Sequence, residues 1–176
     1  TLSLRALRTG DLPALNLAFD HIRTLDLTGV RLTAAEIRLS EVLLASGQEL
    51  LDRHGDAADA YLTLVGYFNA IRELAGMTRY LSDDVETALG RGRPWSKLPR
   101  RRGTNYGQLN RAELTSRVSS SRITDTLDGM AVPFIAASDS TAARAAALAA
   151  VQGGKPAPER GALPYDTVLA TSMLQV

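Results

Sequence analysis

The chain has no cysteine, one tryptophan and two histidines in 176 residues. Without cysteine there are no disulfides and no thiolate metal sites, which fits a reducing compartment and gives a cytoplasmic expectation. With only His21 and His54, both placed on or beside helices, neither a zinc site nor a histidine-based triad is indicated. No apolar run approaches the ~20 residues needed to span a bilayer, so no membrane partner is expected. Thr1 to Gly10 carries arginines but no following apolar run, so no signal peptide is read there. A Gly-x-x-x-x-Gly-Lys-Ser/Thr phosphate loop is missing. No Asp-Glu pair follows a buried strand, and no catalytic residue or metal ligand is assigned. Ser116, Ser119, Ser120 and Ser121 have no base nearby to activate them.

What is present is an ordinary globular composition, 45% hydrophobic and 22% charged. A chain of this length suits one domain with a helical appendage. The formal net charge of +1 hides an asymmetry. Seven basic residues and no acidic one lie between Arg91 and Arg111, which leaves 13 basic against 19 acidic residues elsewhere.

Hydrophobic periodicity divides the chain near residue 60. Before it, Leu12, Leu15, Phe19 and Ile22 line one face of a helix over Asp11 to Leu27. Thr33 to Arg53 is the clearest helix, with Thr33 and Glu36 as a capping box and Gly55 as its stop. After it the period changes. Tyr61 to Phe68 reads as a strand buried on both faces. Asn69 to Ala75 follows as a helix, and Met77 to Leu81 as a short strand. Ser82 starts another helix as its cap, with Asp83 and Asp84 in the first turn. Residues 90–111 form a long Gly-, Pro- and Arg-rich loop. Ala112 to Val118 is a strand and Ser121 to Met130 a helix. Residues 138–164 form an alanine-rich insertion: Ser138 to Val151 is helical by propensity and Gln152 to Pro164 a linker. Tyr165 to Ala170 closes the series as a strand.

This alternation gives an α/β fold with a mostly parallel sheet flanked by helices. Such sheets bind ligands at the carboxyl ends of their strands. The polar residues that follow the better strands are Asn69, Ser119 to Ser121, and Thr171 with Ser172. Asn69 and the amides of the following helix can hold a phosphate oxygen, or Asn69 can simply cap that helix. Glu113 to Arg122 crowds hydroxyls and arginines at a strand end, as a phosphate contact or a helix-capping turn. In the basic segment, Arg100, Arg101 and Arg102 can neutralise phosphates while Trp95 and Tyr106 stack on bases; the plainer reading is a solvated loop.

Three of these segments together resemble the second RecA-like lobe of superfamily 2 helicases. Val65-Gly-Tyr-Phe-Asn-Ala-Ile-Arg72 is similar to motif IV: Asn69 and Arg72 match, and Ala70 stands where threonine is commoner. Leu114-Thr-Ser-Arg-Val118 is similar to the Leu-His-Gly strand end, with Thr115 and Ser116 in place of His-Gly. Asp166-Thr-Val-Leu-Ala-Thr-Ser172 resembles the opening of motif V. The fuller phrases around these segments resemble a narrower group, the large helicase subunit of the DISARM anti-phage defence system. Residues 1–60 match no family.

The resemblance implies an incomplete RecA-like lobe over residues 61–176 that ends within motif V, led in by a helical segment. It implies nucleic-acid backbone contacts through Asn69, Arg72, Thr115, Ser116, Arg117 and Thr171. It also implies that the complete protein would use ATP and Mg held largely by a first RecA-like lobe missing from this sequence, and that this chain alone would hydrolyse no ATP. Single strands or tailed duplexes and other defence-system subunits would be its partners. The alternative is a non-catalytic α/β module that docks a partner protein.

Overall fold

In a computed structural model of the chain, residues 31–92, 98–156 and 160–171 are described. Helix α1 spans Leu32–His54, followed by a 3-10 turn over Gly55–Tyr61. Then come strand β1 (Leu64–Phe68), helix α2 (Ile71–Tyr80), a π-helical turn (Leu81–Val85) and helix α3 (Glu86–Arg91). Strand β2 is Arg111–Leu114 and helix α4 is Ser120–Met130. Two further helices, α5 (Ala136–Asp139) and α6 (Thr141–Gln152), precede strand β3 (Thr167–Thr171).

The three strands form one parallel sheet in the order β1-β3-β2. The chain therefore crosses from one edge to the other and returns to the centre. Right-handed crossovers in opposite directions place their helices on opposite faces. The packing agrees. On one face, Leu44 and Ala45 of α1, Leu74 and Met77 of α2, Leu81, Val85 and Leu89 gather over Leu169. On the other, Ala112, Leu114, Val168 and Ala170 meet Ile123 of α4. A third cluster, Leu50, Leu51, Ala58, Leu62 and Phe134, ties α1 to the segment before α5. The result is an α/β fold with helices on both sides of a parallel sheet and a helix leading into it, as an incomplete RecA-like lobe requires.

Several expectations change in detail. The strand buried on both faces is β3, all five residues of which are buried. β1 is shorter than Tyr61 to Phe68 and lies at the sheet edge, with Val65 40% and Tyr67 62% exposed. Met77 to Leu81 is no strand. Leu74, Met77, Leu81, Val85 and Leu89 recur at three- and four-residue steps, and this stripe keeps the chain helical from Ile71 to Arg91. Ser82 consequently caps nothing; its hydroxyl donates to the Thr78 carbonyl at 3.0 Å. Asp83 and Asp84 lie in the π-turn and not at a helix start. Thr33 and Glu36 form no capping box, because α1 begins at Leu32 with Arg31 at its cap position and no side-chain cap bond. Gly55 does end α1, with φ +63° and its amide on the Leu51 carbonyl. The alanine-rich helix breaks at Ser140, whose hydroxyl accepts from the Ala143 amide and caps α6. The helix read over Asp11 to Leu27 lies outside the described residues.

Candidate nucleic-acid interface

Parallel pairing aligns the strand ends. Phe68 stands opposite Thr171, and Leu114 opposite Ala170, so Thr115 follows at the level of Thr171. Asn69, Thr115 and Thr171 thus share the carboxyl edge of the sheet. Asn69 is exposed, as are Arg72, Ser116 and Arg117. Thr115 and Thr171 lie at the same level but are buried, 3% and 4% exposed, so neither offers its side chain to a phosphate in solution, which corrects the expectation for these two.

Two helices start at this edge. α2 begins after Ala70, in an extended conformation with no side-chain cap bond, so Asn69 does not cap it. α4 begins after Ser119, again without a side-chain cap bond to the backbone. The Ser119 and Ser121 hydroxyls are 3.2 Å apart. A tight turn, with the Val118 amide on the Thr115 carbonyl at 3.0 Å, carries β2 into α4. The first amides of any helix lack intrahelical acceptors and carry the positive end of its dipole. Two such ends, approaching from opposite faces and flanked by exposed Arg72, Arg117 and Arg122, make a rim that favours anionic oxygens.

The basic loop lies elsewhere. Arg101 is 1% exposed and sits at the amino edge of the sheet. Its guanidinium donates to the Leu44 and Leu62 carbonyls at 2.9 Å each and to Asp166 Oδ1 at 2.7 Å. It therefore offers nothing to a phosphate in solution, which corrects the expectation for this residue. Asp166, just before β3, also accepts from the Thr104 amide and hydroxyl at 2.8 and 2.9 Å and from the Asn110 amide at 2.9 Å. Burial pushes the Asp166 carboxyl up, but Arg101 and Arg144 beside it hold it below its usual range. Burial lowers the Arg144 guanidinium to about 10, against the opposing pull of Asp166 and Asp139. Arg160 donates to both oxygens of Asp139, which is itself fully buried.

Arg100 is exposed and Arg102 half-buried, both on this amino side. Tyr106, 42% exposed, adopts a left-handed φ of +49° in the tight hairpin between Gly103 and Gln108. It lines a cleft of about 140 Å³ with Arg144, Ala147, Arg160 and Leu163. A five-residue strand is about 16 Å long, so these residues and the carboxyl rim are separate surfaces. Trp95 and Ser172 lie outside the described residues.

Sequence reasoning missed the buried cluster of Arg101, Arg144, Arg160, Asp139 and Asp166 altogether. Arg122, the last residue of the Glu113 to Arg122 segment read as a possible phosphate contact, is exposed at the start of α4. Among the described residues, no group of three or more His, Cys, Asp or Glu is arranged to hold a metal ion. The two fully buried carboxylates, Asp139 and Asp166, are taken by guanidinium groups. These residues do not fit a magnesium site. No described helix is long and apolar enough to cross a membrane.

No protein-family model matches the chain. Over 94 residues it is 39% identical to DISARM protein DrmA of Bacillus paralicheniformis, a match that takes in 52% of this chain and 8% of that protein. Part of the chain is thus similar to a DISARM protein. The aligned stretch is less than a tenth of that relative's length.

Proposed function

We propose that this chain is the nucleic-acid-gripping part of the second RecA-like lobe of an ATP-dependent helicase or translocase of the DISARM type, acting in anti-phage defence. One observation carries the reading. Three strand ends, those of β1 at Phe68, β2 at Leu114 and β3 at Thr171, meet at one edge although far apart in sequence, and two helix amino termini also arrive there.

Chemically, that edge suits a sugar–phosphate backbone. The Asn69 amide, the Ser116 hydroxyl and the guanidinium groups of Arg72 and Arg117 donate to phosphate oxygens without reading base edges. The helix amino termini add fixed partial positive charge at no cost in side-chain ordering. Thr115 and Thr171 are buried at the same level and serve to position the exposed residues that follow β2 and flank β3. Arg101 takes no part, since Asp166 holds it. The similarity to DrmA supports the defence assignment and partners among other DISARM subunits. ATP and Mg would be held largely by another lobe, because the described residues supply neither a phosphate loop nor a group of carboxylates arranged to hold a metal ion.

Fluorescence anisotropy with a labelled oligothymidylate and a tailed duplex tests the reading. The 176-residue chain should bind both weakly and more weakly as salt rises. Combined Arg72→Ala and Arg117→Ala substitution should abolish that binding at moderate salt while the chain stays folded. Equal binding by the doubly substituted chain would remove the rim from the interface.

A further inference from the structure

On the amino side of the sheet, the hairpin between Gly103 and Gln108 and the helices α5 and α6 enclose the cleft of about 140 Å³. Its walls are small or apolar. Gly107 brings no side chain, and α6 presents only the methyl groups of Ala143 and Ala147. Tyr106 stands at the cleft with a φ of +49°, the one left-handed non-glycine residue among those described. That backbone is an outlier for a bulky side chain, and such outliers gather where ligands are clamped. Charge enters from Arg144 and Arg160, which line the same space.

The ion cluster behind the cleft is not balanced within itself. The guanidinium groups of Arg101, Arg144 and Arg160 meet the carboxylates of Asp139 and Asp166, which leaves one positive charge in excess among these groups. Arg160 donates to both oxygens of Asp139, whereas Arg144 reaches that carboxylate only at 3.4 Å. Arg144 is 5% exposed, and its Nε has no hydrogen-bond acceptor. Of the buried polar atoms without a partner, this is the one whose residue lines the cleft. Burial lowers the Arg144 guanidinium to about 10, and Arg101 adds to the effect against Asp166 and Asp139. A buried donor without an acceptor is costly, and buried charge is tolerated where it is paired. An anion in the cleft would relieve both.

We propose that this cleft binds a ring-bearing carboxylate, its ring against Tyr106 and Ala147 and its carboxylate towards Arg160 and Arg144. Size sets the body of the ligand, since an apolar cavity of about 150 Å³ takes one benzene ring. Charge sets its head. A carboxylate carries one negative charge, matching the excess, whereas a phosphate monoester brings about −1.5 to −2 at neutral pH. A free aromatic acid and the aromatic carboxyl-terminal residue of a polypeptide share this chemistry. The site lies on the amino side of the sheet and stands independently of the nucleic-acid reading of the carboxyl rim.

The test titrates the full 176-residue chain, labelled with nitrogen-15, with benzoate, benzamide and phenyl phosphate. Benzoate should shift the Gly107 and Ala147 amide signals in a saturable way. Benzamide has the same shape without the charge and should bind several-fold more weakly, and phenyl phosphate no more tightly than benzoate. Arg160→Gln would strand the buried Asp139 carboxylate, so the variant used is Ala147→Leu. It fills the cleft from a helical position that belongs to none of the ion pairs. Ala147→Leu should abolish the benzoate shifts and leave the urea midpoint without benzoate unchanged. Absence of a saturable shift, or equal binding of benzoate and benzamide, overturns the proposal. Tighter binding of phenyl phosphate overturns the carboxylate assignment, and full binding by folded Ala147→Leu overturns the location. A short peptide ending in phenylalanine then separates the sources. Competition with benzoate assigns the site to a chain terminus and lack of competition to a free acid, and either result upholds the site.

Discussion

Arg101 and Asp166 are 65 residues apart in sequence and 2.7 Å apart in space, both with side chains wholly withdrawn from solvent. The pair joins the basic loop to the start of the central strand. Removing one partner of a buried ion pair typically costs about 3–5 kcal/mol, because the other charge stays behind uncompensated. Arg101→Ala should therefore destabilise the chain by an amount in that range in urea titrations. Arg100→Ala, one residue away and exposed, should change stability by less than about 0.5 kcal/mol.

The same pair fixes an acid limit. The Asp166 carboxyl is held below its usual range when folded. Its stabilising contribution is complete above its unfolded value, near 4, and is lost as pH falls through the lower folded value. Urea midpoints should therefore be flat with respect to this group from neutral pH down to about 4 and drop below that. Asp166→Asn should be less stable at neutral pH and should lose part of the acid-side slope.

Salt dependence separates the two positive surfaces. Each phosphate neutralised contributes a slope of about 0.7 to log K against log salt on single strands. Arg72→Ala and Arg117→Ala should each flatten the slope by roughly that amount. Arg100→Ala should leave it unchanged, because that residue lies at the other end of the strands. A flattened slope with Arg100→Ala and an unchanged one with the rim variants would move the interface to the amino side.

A backbone clash gives the fourth expectation. A Cβ added at Gly103 would lie 1.8 Å from the Gln108 carbonyl oxygen. Gly103→Ala should open the hairpin that carries Thr104 to Asp166 and cost about 2–4 kcal/mol, within the range for a buried backbone clash combined with broken hydrogen bonds. Gly90→Ala, where an added Cβ meets nothing within 4 Å, should be neutral or slightly stabilising.

Local pattern made some of this legible. α1 could be read because a long helix repeats its apolar stripe many times, and β3 because its short run is bounded by polar residues and rich in β-branched ones, Thr167, Val168 and Thr171. The stretch from Met77 to Leu81 was misread for the opposite reason. Five residues are too few to distinguish periods, and the stripe that decides the matter runs from Leu74 to Leu89. Ser82-Asp83-Asp84 has the composition of a helix start, yet packing of Leu81 and Val85 carries the helix straight through it. The carboxyl rim was legible from strand order alone, since parallel strands bring their ends together whatever their separation in sequence. The burial of Arg101 was not. A run of three arginines looks alike whether or not an aspartate waits 65 residues on, and only the fold brings that aspartate to the middle one.

β3 is hydrogen-bonded to a parallel neighbour along both sides. A pull applied at Thr171 along the strand meets these bonds in shear, where many must yield together. Whatever load is not absorbed there reaches Asp166, and through it Arg101, Thr104 and Asn110. The end of the strand farthest from the rim is thus its mooring, and traction exerted on the open edge would be borne by the charged knot at the closed one.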